Sequence, residues 1–339
     1  MIDDLNPIFQ RIKKLHIQWK DLEEPSPKKV KCLCDGHTGY FIDYNLDIPA
    51  FALCPSCNPT LHCRKCDGTG HVKKFDLESR KDHITPHACS CTQLSKNIDK
   101  ANLACIPSKY LDAEFCSLDR LSLKIGNQLE SFQAQKIFEA QTRVESFCES
   151  LPATQDAHIK PFLTLMGPVG TGKTYLAIAA LKYLIFNRNF SAYFGDFQRI
   201  LGLLREAYTK KVSEASILRP IFYSDILVID EFGKIRTENE WQLEKLDEII
   251  NVRYNQNKIT ILTTNYLPPH IQYEPQVTKV SPYESFWNQS LVDRVGQRMY
   301  DRIFENSYFV DFNGIPSIRQ LKNAEFVKFM LQKYDKKSP

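Results

Sequence analysis

The sequence predicts an α/β protein whose core is a doubly wound, parallel, five-stranded sheet, preceded by a small metal-clamped module. Two observations predict the sheet. Five short apolar runs, FLTLM (162–166), AYF (192–194), ILVID (226–230), ITILTT (259–264) and YFVDF (308–312), are mostly separated by amphipathic segments of helix length. That alternation is the signature of parallel strands joined by crossover helices. The first run also leads directly into a glycine-rich loop, GPVGTGKT, at 167–174. A third observation predicts the module: eight of the eleven cysteines lie between Cys32 and Cys91.

Taken in chain order, residues 1–30 place Leu5, Ile8, Phe9, Ile12, Leu15, Trp19 and Leu22 at three-to-four spacing, one face of an amphipathic helix that EEPSPKK ends. The cysteine-rich domain follows over 31–95, with too few apolar residues for a core of its own. A helical connector over 96–129 stops before Pro107, and the α/β core occupies 130–339, ending in the amphipathic stretch AEFVKFMLQKYDKKSP. No apolar run approaches the roughly 18–20 residues of a membrane span, and MIDDLNPIFQRIKK has no signal-peptide core, so a cytoplasmic protein without a membrane partner is expected.

Reducing compartments keep ordinary thiols reduced, so paired cysteines there point to metal. CxC at Cys32 and Cys34 and at Cys89 and Cys91, with CxxC at Cys54 and Cys57 and at Cys63 and Cys66, offers eight thiolates. Tetrahedral zinc takes four, so two Zn2+ per chain use them all. Sequential grouping (Cys32, Cys34, Cys54, Cys57; then Cys63, Cys66, Cys89, Cys91) is simpler, and a crossed grouping is also compatible with the spacing. His62 and His87 adjoin the pairs as possible substitutes, and an iron–sulfur cluster drawing on Cys105, Cys116 or Cys148 is the alternative metal. The formal net charge is +4. Each tetrathiolate zinc site carries about −2, which cancels it, so net charge does not argue for nucleic acid.

The glycine-rich loop has the strand and helix flanks that phosphate binding requires. Gly167, Pro168, Val169, Gly170, Thr171, Gly172, Lys173, Thr174 and Tyr175 are the candidate contacts to ATP. Lys173 would reach the β- and γ-phosphates, Thr174 would ligate Mg2+, and the helix N-terminus adds its positive dipole end. In ILVIDE, Asp230 follows a hydrophobic run and can hold the metal's water shell, while Glu231 can polarise an attacking water. Asn265 at the tip of ITILTTN can orient that water.

In this order the motifs resemble Walker A, Walker B and sensor 1 of the AAA+ ATPases. DKANLACIPSKYLDAEF, LVIDEFG and GQRMYDRIFENSYFVDFNGIPSIR narrow the resemblance to the DnaC and DnaI helicase loaders and IstB-like transposition helpers, over roughly 98–322. Arg294, Arg298 and Arg302, four apart, are expected on one helix face. The resemblance implies that one of them, Arg302 first and Arg298 second, reaches a neighbouring subunit's γ-phosphate, which implies self-assembly. Only 37 residues follow Arg302, too few for a full C-terminal lid or an arginine carried on one. DFQRILGLLREAYTKKVSEA corresponds to the segment that contacts single-stranded DNA in the loaders, with Arg205, Tyr208, Lys210 and Lys211 as candidates. The Asp-Gly and Thr-Gly steps after Cys34 and Cys66 are similar to the glycine-bearing knuckles of the DnaJ zinc region. The expected function is ATP-dependent loading of a replicative DNA helicase; a transposition helper, or a zinc adaptor using ATP as a switch, are the alternatives.

Overall fold

The computed structural model describes residues 32–34, 38–76, 81–115, 131–151, 160–234, 240–268 and 290–321. The expected N-terminal helix with Trp19, the C-terminal amphipathic stretch and Cys116 lie outside them. The chain divides into two compact units, with the break between Asp112 and Ala113.

The first unit is two antiparallel hairpins and a helix. β1 (Tyr40–Asp43) pairs with β2 (Ala50–Leu53), and β3 (His71–Asp76) pairs with β4 (Lys81–Ala88). Helix α1 (Gln93–Leu103) closes the unit. Its buried Asn102 exchanges both hydrogen bonds with the backbone of Phe51, donating to the carbonyl and accepting from the N–H at 2.9 Å each. A side-chain amide thus does for β2 what another strand would do, satisfying buried backbone groups on an edge. Phe51, Ile98, Ala101 and Ile106 are among the few buried apolar residues here, an insufficient core by itself.

The second unit carries the expected five-stranded sheet. β5 (Phe162–Met166), β6 (Ala192–Asp196), β7 (Ile226–Asp230), β8 (Ile259–Thr264) and β9 (Ser307–Asp311) pair in the order β6-β7-β8-β5-β9, every pairing parallel. Helices α2 (Ser131–Ser150), α3 (Lys173–Arg188), α4 (Phe197–Thr209), α5 (Ala215–Tyr223) and α6 (Glu240–Asn255) are followed by α7 (Leu291–Val295) and α8 (Gln297–Asn306). All residues of β5 and the first four of β7 are buried, as expected of central parallel strands covered on both faces. Helix α3 buries ten residues, including Ala177, Ala179 and Ala180, whose small side chains suit close packing against a sheet. Asn189 in the left-handed region, φ 61°, ends it by donating to the carbonyls of Ile185 and Leu184.

One expectation about the helices fails. Arg294, Arg298 and Arg302 do not share a helix face, because Gly296, at φ 81°, breaks the run into α7 and α8. Arg294 lies on the first and the other two on the second. The glycine adopts a conformation L-residues avoid, and four-residue spacing cannot register that turn.

Arg253 of α6 is fully buried, with no direct carboxylate partner among the described residues. Its guanidinium donates to the carbonyls of Ile221 (2.8 Å), Phe222 (3.3 Å), Ser224 (3.0 Å), Asp225 (3.4 Å) and Ile259, and to the Thr260 hydroxyl (2.9 Å). Three of those carbonyls belong to the last turn of α5 and its exit, where a cation satisfies orphan acceptors and the negative dipole end. Burial still lowers its pKa, to about 9. Arg253→Met is expected to cost about 3–5 kcal/mol in urea denaturation, because it strands these carbonyls; Arg253→Lys should recover part of that.

Candidate functional site

The phosphate loop runs from β5 into α3. Gly167, Gly170 and Gly172 all have positive φ, at 137°, 85° and 101°. A Cβ on Gly167 would stand 2.9 Å from Phe312, and one on Gly170 would stand 2.3 Å from the Ser317 hydroxyl. Glycine is therefore demanded twice over, by backbone angle and by the chain behind the loop. That chain continues past β9 and is tied to the loop by the Ile318 N–H, which donates to the Gly170 carbonyl at 2.9 Å.

Lys173 is buried, with its ammonium donating to the Gly167 and Pro168 carbonyls at 2.8 and 2.6 Å. Burial lowers its pKa to about 8, against the attraction of Asp230, while the nearby Arg319 lowers it further. Thr174 donates from its hydroxyl to Asp230 Oδ1 at 2.8 Å, and the Thr263 hydroxyl of β8 donates to the same oxygen. Burial raises the pKa of Asp230, offset in part by these two hydroxyls and reinforced by Glu231 and Asp196. A half-buried carboxylate pushed toward its neutral form, with a threonine hydroxyl against it, is a donor set that a divalent cation would satisfy. The residues present therefore fit Mg2+, with Thr174 and Asp230 to hold it.

Glu231 follows at φ 56°, its N–H held by Thr263 Oγ1 at 3.1 Å and its carboxylate paired with Lys234 at 2.6 Å. Asn265, half-buried, sits just past the end of β8, next in the sheet to β7. Lys173, Thr174, Asp230 and Glu231 are thus brought together at the carboxyl ends of β5 and β7, the two strands that flank β8, where open α/β sheets bind ligands.

The arginines separate by role. Arg294 is buried, donating from Nε to the Gly233 carbonyl at 3.0 Å, with its guanidinium 5.2 Å from the Tyr266 ring centroid. Arg302 pairs with Asp247 of α6 at 3.0 Å and is only 18 % exposed. Arg298 is exposed, and no ion pair holds it among the described residues. Of the helix from Asp196, Arg205 lies 5.3 Å over the Trp241 ring, and the exposed Tyr208 lies 6.3 Å from the same ring. Lys210 pairs with Glu206 in its own helix, and Lys211 takes up φ 54° just past the helix end.

The cysteines assemble in sequential order. Cys32, Cys34, Cys54 and Cys57 form one cluster, and Cys63, Cys66, Cys89 and Cys91 the other. Cys32 stands 3.7, 3.8 and 3.7 Å from its three partners, and Cys63–Cys89 and Cys66–Cys91 are 3.7 and 3.5 Å apart. A tetrahedron with Zn–S arms of about 2.3 Å has edges of about 3.8 Å, which these spacings match, while Cys34 and Cys57 stand closer, at 2.9 Å; four converging thiols per cluster are a zinc donor set. The duplicated motif makes one hydrogen bond twice: the Gly39 carbonyl accepts from the Cys54 N–H at 2.8 Å, and the Gly70 carbonyl from the Cys89 N–H at 2.7 Å. Gly70, at φ 74°, also turns its own N–H onto Cys66 Sγ at 3.3 Å. His62 bonds the Ser56 carbonyl, and both it and His87 are exposed outside the clusters.

Three residues escaped the sequence reading. Lys234 pairs with Glu231, Trp241 gathers Arg205 and Tyr208, and Arg319, exposed, places its charge near Lys173. Nothing marks Lys234 or Trp241 in the sequence, but Arg319 follows the last strand closely enough to be sought there.

A family model described as "IstB-like ATP binding protein" matches residues 117–324, more than half of the chain. The chain belongs to the IstB-like ATP-binding family. Among solved structures, this IstB-like chain is similar to the DnaC helicase loader, at 24% identity and TM-score 0.45, covering 60% of this chain and 98% of that one. It is similar to DnaI at 20% identity and TM-score 0.42, covering 63% and 94%. It is also similar to AMPPCP-bound DnaA from Aquifex aeolicus at 20% identity and TM-score 0.39, covering 56% and 50%. No curated protein matches it significantly. Its P-loop, parallel sheet order and IstB-like match are those of the AAA+ fold, and no described helix is long and apolar enough to cross a membrane.

Two measurements test these sites. Phosphates need the charged ammonium of Lys173, whose pKa of about 8 in the free protein means that it is protonated below pH 8 and increasingly neutral above. Fluorescent-ATP affinity is expected to fall about tenfold from pH 7 to pH 9, and Lys173→Ala to remove that dependence. Metal analysis of the purified chain is expected to find two zinc ions, one per cluster, with Cys54→Ser lowering the count to one.

Proposed function

We propose that this IstB-like protein is an ATPase that assembles on single-stranded DNA and delivers a replicative helicase. The observation that carries the reading is the division of the arginines. The phosphate loop, Thr174, Asp230 and Glu231 converge within one chain, whereas Arg298 stands exposed and unpaired among the described residues. Arg319 belongs to the site's own chain, and a molecule that also presents Arg298 outward offers a second arginine to the nucleotide held by a neighbouring copy. Arg302, held by Asp247, is the weaker candidate for that task.

In this reading Lys173 and the loop amides bind the phosphates, and Thr174 and Asp230 would hold a magnesium ion, which would supply neutralisation of phosphate charge. Glu231 polarises the water that attacks the γ-phosphorus, Asn265 orients it, and ADP and phosphate leave. Arg319 is a further cation for the phosphates. Arg205 with the Tyr208 and Trp241 rings offers charge and aromatic surface for an unpaired strand. The zinc-clamped unit, with the segment before it, is the part that addresses the helicase. The family match favours a second reading, a transposition helper with the same core and a transposase as its partner.

Steady-state hydrolysis with and without single-stranded DNA tests the reading. Glu231→Gln should bind ATP and lose at least about 100-fold in turnover. Arg298→Ala should lose a comparable factor, and mixing it with Lys173→Ala should restore activity, because one supplies the site and the other the arginine. Restoration by Arg302→Ala but not Arg298→Ala would assign the finger to Arg302; no DNA effect on rate or assembly would remove the loader reading. Capture of partners on the full chain then separates helicase from transposase.

A further inference from the structure

Helix α8 carries Arg298 in its first turn, and the turn that joins it to α7 has nothing packed against its glycine. Gly296 makes that turn at φ 81°, and a Cβ placed there would meet no atom within 4 Å. The joint therefore fixes the helix by backbone angle alone, and side chains must set its direction. Met299, Tyr300 and Ile303 bury one face of α8. A second, polar set ties it to α6. Arg302 pairs with Asp247 at 3.0 Å and lies over the Tyr254 ring, 5.9 Å from its centroid. The Tyr254 hydroxyl donates in turn to the Glu305 carboxylate at 3.0 Å. Asp247 and Tyr254 share one face of α6, two turns apart, and Arg302 and Glu305 are neighbours on α8, so the two helices are joined at two levels.

We infer that Asp247 and Tyr254 are positioning residues for the arginine that α8 offers to a second copy, and that Arg302 is their anchor on α8 rather than the arginine that reaches the neighbour. This rests on the reading of Arg298 as the outward arginine and deepens it. Arg298 lies one turn before Arg302 on the same face of α8, about 6 Å along the helix axis, and is exposed. A guanidinium that must meet a phosphate on another molecule depends on its backbone being held to within about an ångström. Apolar contacts such as those of Met299 and Ile303 are non-directional and leave a helix free to rock. An ion pair and a hydrogen bond fix direction as well as distance. Arginine suits the anchor because its planar head pairs with a carboxylate while lying on an aromatic face, which an ammonium does less well. Withdrawing Arg302 to serve a neighbour would break both contacts.

The test is ATP turnover by mixed full-length chains on single-stranded DNA, which separates giving the arginine from receiving it. The reference is Lys173→Ala, which can only give, mixed with Arg298→Ala, which can only receive. Asp247→Ala mixed with Lys173→Ala is expected to match the reference, because its own nucleotide site is intact. The double variant Lys173→Ala with Asp247→Ala, mixed with Arg298→Ala, is expected to turn over about tenfold more slowly than the reference, because its arginine is misplaced. Tyr254→Phe in place of Asp247→Ala loses only the bond to Glu305 and should show the same one-sided loss at about two- to fivefold. Equal losses in giving and receiving would mark a purely structural contact and overturn the inference. Giving that is unchanged or raised by Asp247→Ala also overturns it, since freeing Arg302 would then help it reach the neighbour. If the reference mixture itself shows no turnover above its separate components, the arginine supplied by a second copy fails, and the inference falls with it; the two failures are read from different mixtures.

Discussion

A single carboxylate oxygen, Asp230 Oδ1, accepts from hydroxyls on two other elements, Thr174 at the start of α3 and Thr263 on β8. The rest of the nucleotide-binding unit depends on this junction. It joins the loop that would hold phosphate to the two strands that would hold metal and water, and it satisfies a carboxylate that burial otherwise drives toward neutrality. Thr263 also fixes the N–H of Glu231, so one strand residue orients both acidic side chains.

Around that junction the sheet supplies rigidity and the loops supply the chemistry. β5, β7 and β8 are buried and in register, so their carboxyl ends sit side by side with little freedom. Arg253 serves the opposite end of the sheet, binding the exit of α5 to the start of β8 through backbone carbonyls. Ends and turns carry the positive-φ residues: Gly167, Gly170, Gly172, Glu231 and Gly233 all lie within the site. Backbone in that region is costly away from glycine, and Glu231 adopts it between two hydrogen-bonded anchors.

The cysteine-rich unit solves a different problem. With few buried apolar side chains, it draws its order from two sulfur clusters and from the Asn102 bridge to Phe51. Gly39 and Gly70 occupy equivalent places, each accepting from the first cysteine of the pair that completes its cluster, Gly39 packing toward Leu94 in the first turn of α1 and Gly70 toward Thr92 just before it. The repeated motif is therefore a repeated fold.

Short-range pattern determined much of this protein. The five strand runs, the phosphate loop, the Asp-Glu pair and the four cysteine pairs are legible because each is set by neighbours along the chain: alternation, glycine spacing, thiolate spacing. Tertiary structure decided what depends on residues far apart. It chose sequential over crossed cysteine clusters, since spacing constrains a pair but not which pairs meet. It broke the arginine row at Gly296, bound Arg302 to Asp247, buried Arg294 on Gly233 and left Arg298 outside. It also set Lys234 on Glu231 and Trp241 beside Tyr208. A side chain's reach is a few ångströms in space, and only the folded chain says which distant residues fall within it.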